Sequence, residues 1–409
     1  MEKDPLSTGA FRPQNGFYVL TRAPSKEHAR QRKVLAYPFT KNALVQQEEI
    51  IRSHINNLVG KLSILGEKEA VNLCDWFDCL FLDIILDLMF GETPGYVDSK
   101  RGFDLRKGFE VSLRAGLFEG MVRRLIGPGY MWLESWLIPV WMKKARKELF
   151  EEGVGIMRRR LKKGVEGGGN GGKKKDFVHY ILKGNEKGSE KLGRMEETEM
   201  MLNAKEVLSG AGSDTSATAA SGIFHLILTH PACLEHLVVE IRDTFPTYDD
   251  ITHSKLQSLP YLNACISESL RLLQPSAISL IRSVPPNGAV ISGYFVPAGT
   301  TVAVHGWSAS RSEANWKRAS DFLPERWLGG EEWAEDKKAA AQHFSLGPRG
   351  CIGKNLALME LRLAVAALLW SFTFEDVNLE ERGRWEKDGV LDSFMVWERN
   401  ELLVKLTKL

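Results

Sequence analysis

The sequence predicts a mainly α-helical chain with a small antiparallel β portion late in its length. Three observations carry that expectation. Apolar residues recur at helical spacing early on, as Ile51, Ile55, Leu58 and Leu62 do between polar neighbours. Prolines stand where apolar helical runs should close, at His230-Pro231 and Pro275. Between Leu280 and Val304 the texture changes to short β-branched runs cut by Pro285-Pro286-Asn287-Gly288, Ser292-Gly293 and Pro297-Ala298-Gly299.

Taken in chain order, Leu80–Phe90 reads as a helix buried on most sides, and Lys143–Lys163 as a basic helical stretch. Residues 164–175 are rich in glycine and lysine and read as a flexible loop. A long helix is expected from about Glu196 to Thr229, then helices at Ala232–Thr244 and Tyr261–Leu273. The short strands of the 280–304 region follow. Helix returns from Cys351 to Trp370, and Glu401–Lys408 alternates like a final strand.

A length of 409 residues exceeds a typical compact domain, unless the fold is one of the larger helical or barrel types. Lys and Arg number 54 against 52 Asp and Glu, a net charge of +2 that gives no strong field for a polyanion, so no nucleic-acid partner is expected. Five cysteines, an odd set without a C-x-x-C pair, fit a reducing compartment rather than a disulfide framework. Residues 1–22 carry no apolar core of a signal peptide. Leu80–Phe90 is interrupted by Asp83 and Asp87, and Trp132–Met142 by Glu134, so no membrane span is expected in this chain.

Two apparent phosphate motifs fail. Gly167, Gly169 and Gly172 satisfy G-x-G-x-x-G, but a lysine run follows them and no strand precedes. Gly353-Lys354 is followed by Asn355 where a phosphate-binding loop needs Ser or Thr.

The informative segment is Phe344-Ser345-Leu346-Gly347-Pro348-Arg349-Gly350-Cys351-Ile352-Gly353. It sets a cysteine at the start of an apolar helix, where unpaired backbone N–H groups favour thiolate over thiol. Gly347, Gly350 and Gly353 permit unusual backbone angles and the close approach of a bulky planar group. Arg349 adds a cation suited to a carboxylate. Cys233 and Cys265 lie in apolar runs and read as ordinary core thiols.

That segment resembles the F-x-x-G-x-R-x-C-x-G haem-binding loop of the cytochrome P450 superfamily at all five specified positions: Phe344, Gly347, Arg349, Cys351 and Gly353. Other family marks occur in order. Glu268 and Arg271 give E-x-x-R on one helical face. Phe322-Leu323-Pro324-Glu325-Arg326-Trp327 resembles the family's meander, with Arg326 completing a structural triad. Ala211-Gly212-Ser213-Asp214-Thr215 resembles the A/G-G-x-D/E-T motif of the oxygen-binding helix, whose small residues leave room for a flat cofactor. His28 and Arg32, four apart, match a family pair that holds a haem carboxylate, and Arg282 resembles a further one. The resemblance spans about Phe17 to the end, and its style is closest to fungal secondary-metabolite members.

The resemblance implies one cytochrome P450 domain over residues 1–409, lacking the N-terminal anchor and first strands. It implies one haem b with Cys351 as axial thiolate, and Asp214 and Thr215 as a proton relay. The remaining cofactor contacts would be His28, Arg32, Ala211, Gly212, Arg282, Phe344 and Arg349. The implied reaction inserts one oxygen atom of O2 into a lipophilic small molecule, with electrons from an NADPH-dependent flavoprotein reductase. The basic stretches Lys143–Lys147 and Arg158–Lys163 are expected as solvated faces, with reductase docking as the other use. Family members sit on the cytosolic face of the endoplasmic reticulum; without an anchor, a cytoplasmic or peripherally membrane-bound place is expected. Two alternatives stay open: a haem-thiolate peroxide isomerase, and a haem-binding inactive relict, since only 27 residues precede His28.

Overall fold

The computed structural model describes residues 1–4, 16–92, 94–99, 102–127, 138–165, 167, 175–186, 194–206, 211–276, 278–378, 397 and 399–409. Its longer helices are α1 (Ser25–Leu35), α2 (Lys41–Leu65), α3 (Leu73–Phe90), α4 (Gly102–Ile126), α5 (Val140–Lys162), α6 (Phe177–Glu186), α7 (Glu197–Glu206), α8 (Asp214–Thr229), α9 (Pro231–Thr244), α10 (Pro260–Leu272) and α11 (Lys354–Ser371). Strands β1 (Glu2–Lys3), β3 (Arg282–Ser283) and β6 (Thr301–Val302) form one antiparallel sheet in the order β1-β3-β6. β2 (Val71–Asn72), β8 (Leu403–Lys408) and β7 (Phe372–Asp376) form another, and β4 (Ala289–Ile291) and β5 (Tyr294–Val296) a hairpin. The expected class, mainly helical with small antiparallel sheets, is the one found.

Helices α3, α8, α10 and α11 pack together as the core, with α2 against α3 and α11. The α2 face expected from spacing is buried, with Ile51, Ile55, Leu58 and Leu62 at most 2% exposed. Helix α3 starts earlier than the sequence suggested because Asn72 caps it, its Oδ1 accepting from the Cys74 N–H at 3.2 Å. Gly91, at φ 64°, closes it in the left-handed conformation. Only Asp75 of its residues is not buried. Its interior aspartates are satisfied: Asp83 accepts from the Tyr96 and Val97 N–H groups at 2.9 Å, and Asp87 meets His54 Nε2 at 3.0 Å.

Three expectations on helices change. The long helix expected from Glu196 to Thr229 is interrupted before Asp214: α7 is described to Glu206, residues 207–210 lie outside the described set, and a turn at Gly212 and Ser213 precedes α8. The Thr215 hydroxyl donates to the Ala211 carbonyl at 3.3 Å, so a side chain takes up that carbonyl where helix resumes. Helix α11 begins at Lys354, so Cys351 precedes it in the loop. On α5, Lys143, Lys144, Lys147 and Arg158 are exposed as expected. Arg160 instead is fully buried, bidentate to the Asp176 carboxylate and donating to the Gly164 carbonyl. Cys265 is buried in the core, whereas Cys233, on the flank of α9, is only half-buried. The expected loop at 164–175 falls largely outside the described residues, as does most of Trp132–Met142. Among the described residues no single helix is long and apolar enough to cross a membrane.

Candidate active site

Between the start of α8 and the start of α11 lies a cavity of about 390 Å³. Ala211, Gly212, Thr215, Ser216 and Ala219 form one wall; Phe344, Cys351, Leu356 and Glu360 stand on the other. The wall on α8 is made of small side chains, which leaves a flat face. Of the residues singled out in the sequence, His28, Arg32, Ala211, Gly212, Thr215, Phe344, Arg349 and Cys351 all line this one cavity. Arg282 and Asp214 do not.

The loop that presents Cys351 is tied at several points. The Cys351 N–H donates to the Phe344 carbonyl at 2.8 Å, and the Gly350 N–H to the Gly347 carbonyl at 2.9 Å. Gly347 has φ 70° and so needs glycine, whereas Gly350 and Gly353 keep negative φ. At Gly350 the constraint is room, since an added Cβ would sit 3.2 Å from the Gly347 carbonyl oxygen. The Cys351 side chain is exposed, but to the cavity and within an apolar surround. Burial therefore raises its pKa, against the backbone N–H groups of Gly353 and Lys354 and the charges of Arg32 and Lys354, which lower it. The expected N–H groups are present, yet they do not outweigh desolvation. A thiolate in this position calls for a further cation, and a metal ion supplies one.

Three cationic side chains gather at one end of the cavity: Lys3, Arg32 and Arg349. Arg32 Nη1 donates to the Gly350 carbonyl at 2.7 Å, tying α1 to the cysteine loop. Arg349 Nη2 donates to the Ala23 carbonyl at 2.7 Å and to Glu2 at 3.2 Å. Its Nη1 is buried with no hydrogen-bond partner. Burial and neighbouring positive charge lower the pKa of Lys3, to about 8, and of Arg282. Burial likewise lowers that of Arg349. His28 is a correction to the idea of a cationic pair. Burial, then the charges of Arg349, Arg32 and Lys3, push it down to about 4, so it is a neutral imidazole at pH 7. It can still donate one hydrogen bond.

Arg282 sits on β3 beside Lys3 of β1, near enough to Arg349 to feel its charge, and is not among the residues that line the cavity. Asp214 turns toward Arg399, whose Nη2 lies 3.1 Å from its Oδ1. The same guanidinium also binds Asp78 of α3.

The buried triad forms as the family resemblance implied. Arg271 Nε and Nη2 and Arg326 Nε reach the Glu268 carboxylate at 2.8 Å, and all three side chains are 0% exposed. Asp336, missed in the sequence, adds a second carboxylate to Arg326. Trp316 and Trp333 lie within 5.0 Å of a guanidinium of the pair. Sequence reasoning also missed Lys3, Arg399 and Glu360. For Glu360 a signal existed: it is the one acid in the apolar run Leu356–Leu369.

The cavity suits a flat, partly anionic cofactor with a metal at its centre. Small residues cover one face, an accessible thiol approaches the other, and the unpaired Arg349 Nη1 waits among cations for a carboxylate.

A family model described as cytochrome P450 matches residues 3–395. Cytochrome P450 monooxygenase aba2 of Botryotinia fuckeliana is 38% identical over 417 residues, covering 99% of this chain and 77% of that protein. Averantin hydroxylase of Dothistroma septosporum is 32% identical over 408 residues, covering 99% and 74% respectively. Among solved structures, the haem domain of cytochrome P450DA superposes with a TM-score of 0.73 at 20% identity. That match covers 95% of this chain and 79% of the solved chain, and it speaks for the fold.

Proposed function

The chain belongs to the cytochrome P450 family as a monooxygenase with fungal secondary-metabolism relatives, and we propose that it oxidises a lipophilic small molecule with haem b held by Cys351. The overall change would be RH + O2 + NADPH + H⁺ → ROH + H2O + NADP⁺, with a flavoprotein reductase passing on the electrons. When bound, the haem would supply oxygen activation, which a thiolate ligand favours. The observation that carries this reading is one cavity with an accessible Cys351 thiol and, at its cationic end, the unpaired Arg349 Nη1.

The residues divide the work. Cys351 Sγ would bind iron, steadied by the N–H groups of Gly353 and Lys354. Arg349 and Arg32 would take the cofactor's carboxylates, with neutral His28 donating a hydrogen bond. Arg282 would act through the field rather than by contact. Ala211 and Gly212 would lie against the cofactor face, and Phe344 would exclude water from the thiolate side. Thr215 opens onto the cavity and would pass protons, with Asp214 behind it supplying them once released from Arg399. One relative is named a hydroxylase, which supports hydroxylation as the outcome.

The absorbance spectrum of the reduced, carbon monoxide-bound protein tests the assignment. The parent should give a strongly red-shifted Soret band, and Cys351→Ala should not. A parent without that band, or a variant that keeps it, would sink the role given to Cys351.

A further inference from the structure

One face of α7 has no part in the reading above. Glu199, Asn203 and Glu206 stand at i, i+4 and i+7 and so share one side of that helix. All three bond to the far earlier segment 18–31. Asn203 Oδ1 accepts from the Leu20 N–H at 2.9 Å, and its Nδ2 donates to Gln31 Oε1 at 3.3 Å. Glu199 binds the Arg30 guanidinium, and Glu206 accepts from the Thr21 hydroxyl at 2.9 Å. Gln31 is 0% exposed, and its Nε2 donates to the Tyr18 carbonyl at 2.8 Å.

What these bonds hold is the cationic end of the cavity. On α1, Arg30 and Gln31 bond to α7, while His28 and Arg32, on another face of the same helix, line the cavity. Leu20 and Thr21 line it too, and the Thr21 carbonyl accepts from Lys3 Nζ at 2.5 Å. The Ala23 carbonyl accepts from Arg349 Nη2. Lys3, His28, Arg32 and Arg349 are thus each carried or bonded by one piece of chain, and Asn203 grips both of its parts, the lead-in at Leu20 and the helix at Gln31. Like charges gathered in this way repel one another, so the end needs a brace before any carboxylate arrives. Two neutral amides supply a brace that leaves the cations uncompensated and so available to a ligand.

We propose that the Asn203–Gln31 amide pair positions the cationic end of the cavity, setting Arg32 and His28 in place for the cofactor's carboxylates before the cofactor binds. Neither amide lines the cavity, so both act through the segment they hold. The gain is preorganisation: the ordering of the segment is complete in the empty protein and does not weaken binding.

The inference rests on the cofactor reading above, and the test separates the two. Asn203→Leu, close in size and without polar atoms, should release haem to a haem-free scavenger protein roughly fivefold faster than the parent, the equivalent of one net buried hydrogen bond. Gln31→Met should do likewise, and it serves should the leucine variant fold poorly. A merely structural loss would leave the bound haem unchanged. Here the bending modes of the haem carboxylates in the resonance Raman spectrum should shift in both variants, in the direction that Arg32→Ala shifts them. Adding Asn203→Leu to Arg32→Ala should speed release far less than it does in the parent, because the arginine it positions is already gone. Unchanged release and unchanged carboxylate modes in both single variants, or effects that simply add in the double variant, would overturn the positioning role. The reduced, carbon monoxide-bound spectrum of the parent is recorded alongside. A parent without its red-shifted band sinks the cofactor reading and this inference with it; if the band is there while these signals fail, only the Asn203–Gln31 inference falls.

Discussion

Removing Glu268 should cost the fold more than removing any surface acid. Its two oxygens accept from Arg271 Nε and Nη2, Arg326 Nε, Trp327 Nε1 and the Leu323 N–H, at 2.8 to 3.1 Å. In Glu268→Ala the Arg326 guanidinium keeps Asp336, but Arg271 keeps only carbonyl oxygens, of Ser310, Ala319 and Asp321. Breaking a buried pair this way costs about 3–5 kcal/mol, because a charge is left uncompensated. Against a total stability of about 5–15 kcal/mol, that is a large share. The control is Glu332→Ala, whose partner Lys317 and itself are more than half exposed, and whose loss should cost at most about 1 kcal/mol. Urea denaturation of parent and both variants measures this, with the haem absorbance followed in parallel. Arg326 and Arg271 tie α10 to the segment ahead of the cysteine loop, so haem should be lost before the helices melt. A Glu268→Ala cost within the surface range would refute the claim that this triad braces the loop.

Arg349→Met should weaken haem retention by roughly one to two orders of magnitude, the worth of a charged hydrogen bond of about 1.5–3 kcal/mol; transfer of haem to a haem-free scavenger protein gives the rate, and an unchanged rate would remove Arg349 from the cofactor. Thr215→Ala should bind haem as the parent does but release more peroxide per NADPH consumed, and unchanged coupling would argue against a proton role for its hydroxyl. His253 is pushed from 6.5 down to about 4 by burial and the Arg362 charge. The unfolded chain therefore binds that proton first, so its contribution is intact above about pH 6.5 and is lost as pH falls toward 4. In His253→Gln the stability difference from the parent should change across that window, and a constant difference from pH 7 to 4 would contradict the assignment.

Much of the fold was legible because its signals are local. The α2 face shows in the spacing of Ile51, Ile55, Leu58 and Leu62, and hairpin β4–β5 in the turn residues Ser292 and Gly293, at φ 51° and 85°. The interruption before α8 has its signal in the sequence too: Gly212, Ser213 and Asp214 are weak helix formers, and the Thr215 hydroxyl bonds back to the Ala211 carbonyl. The start of α3 was set too late because the cap at Asn72 is not an apolar signal. Arg160 looked like one of several basic surface residues; only the fold brings Asp176 across to bury it.

The site divides along the same line, between residue type and surroundings. Cys351, Arg349 and Thr215 could be named from their segments because each needs its neighbours in sequence. The electrostatics could not, because they come from residues far apart in the chain. His28 loses its charge to burial first, and then to Arg349, Arg32 and Lys3, which reach it from three segments. Asp214 meets Arg399, 185 positions away, and that guanidinium is shared with Asp78 of α3. An acid whose cation is held in common by a second carboxylate is restrained but not neutralised outright. Release of Asp214 therefore need not strand Arg399, since Asp78 still compensates it.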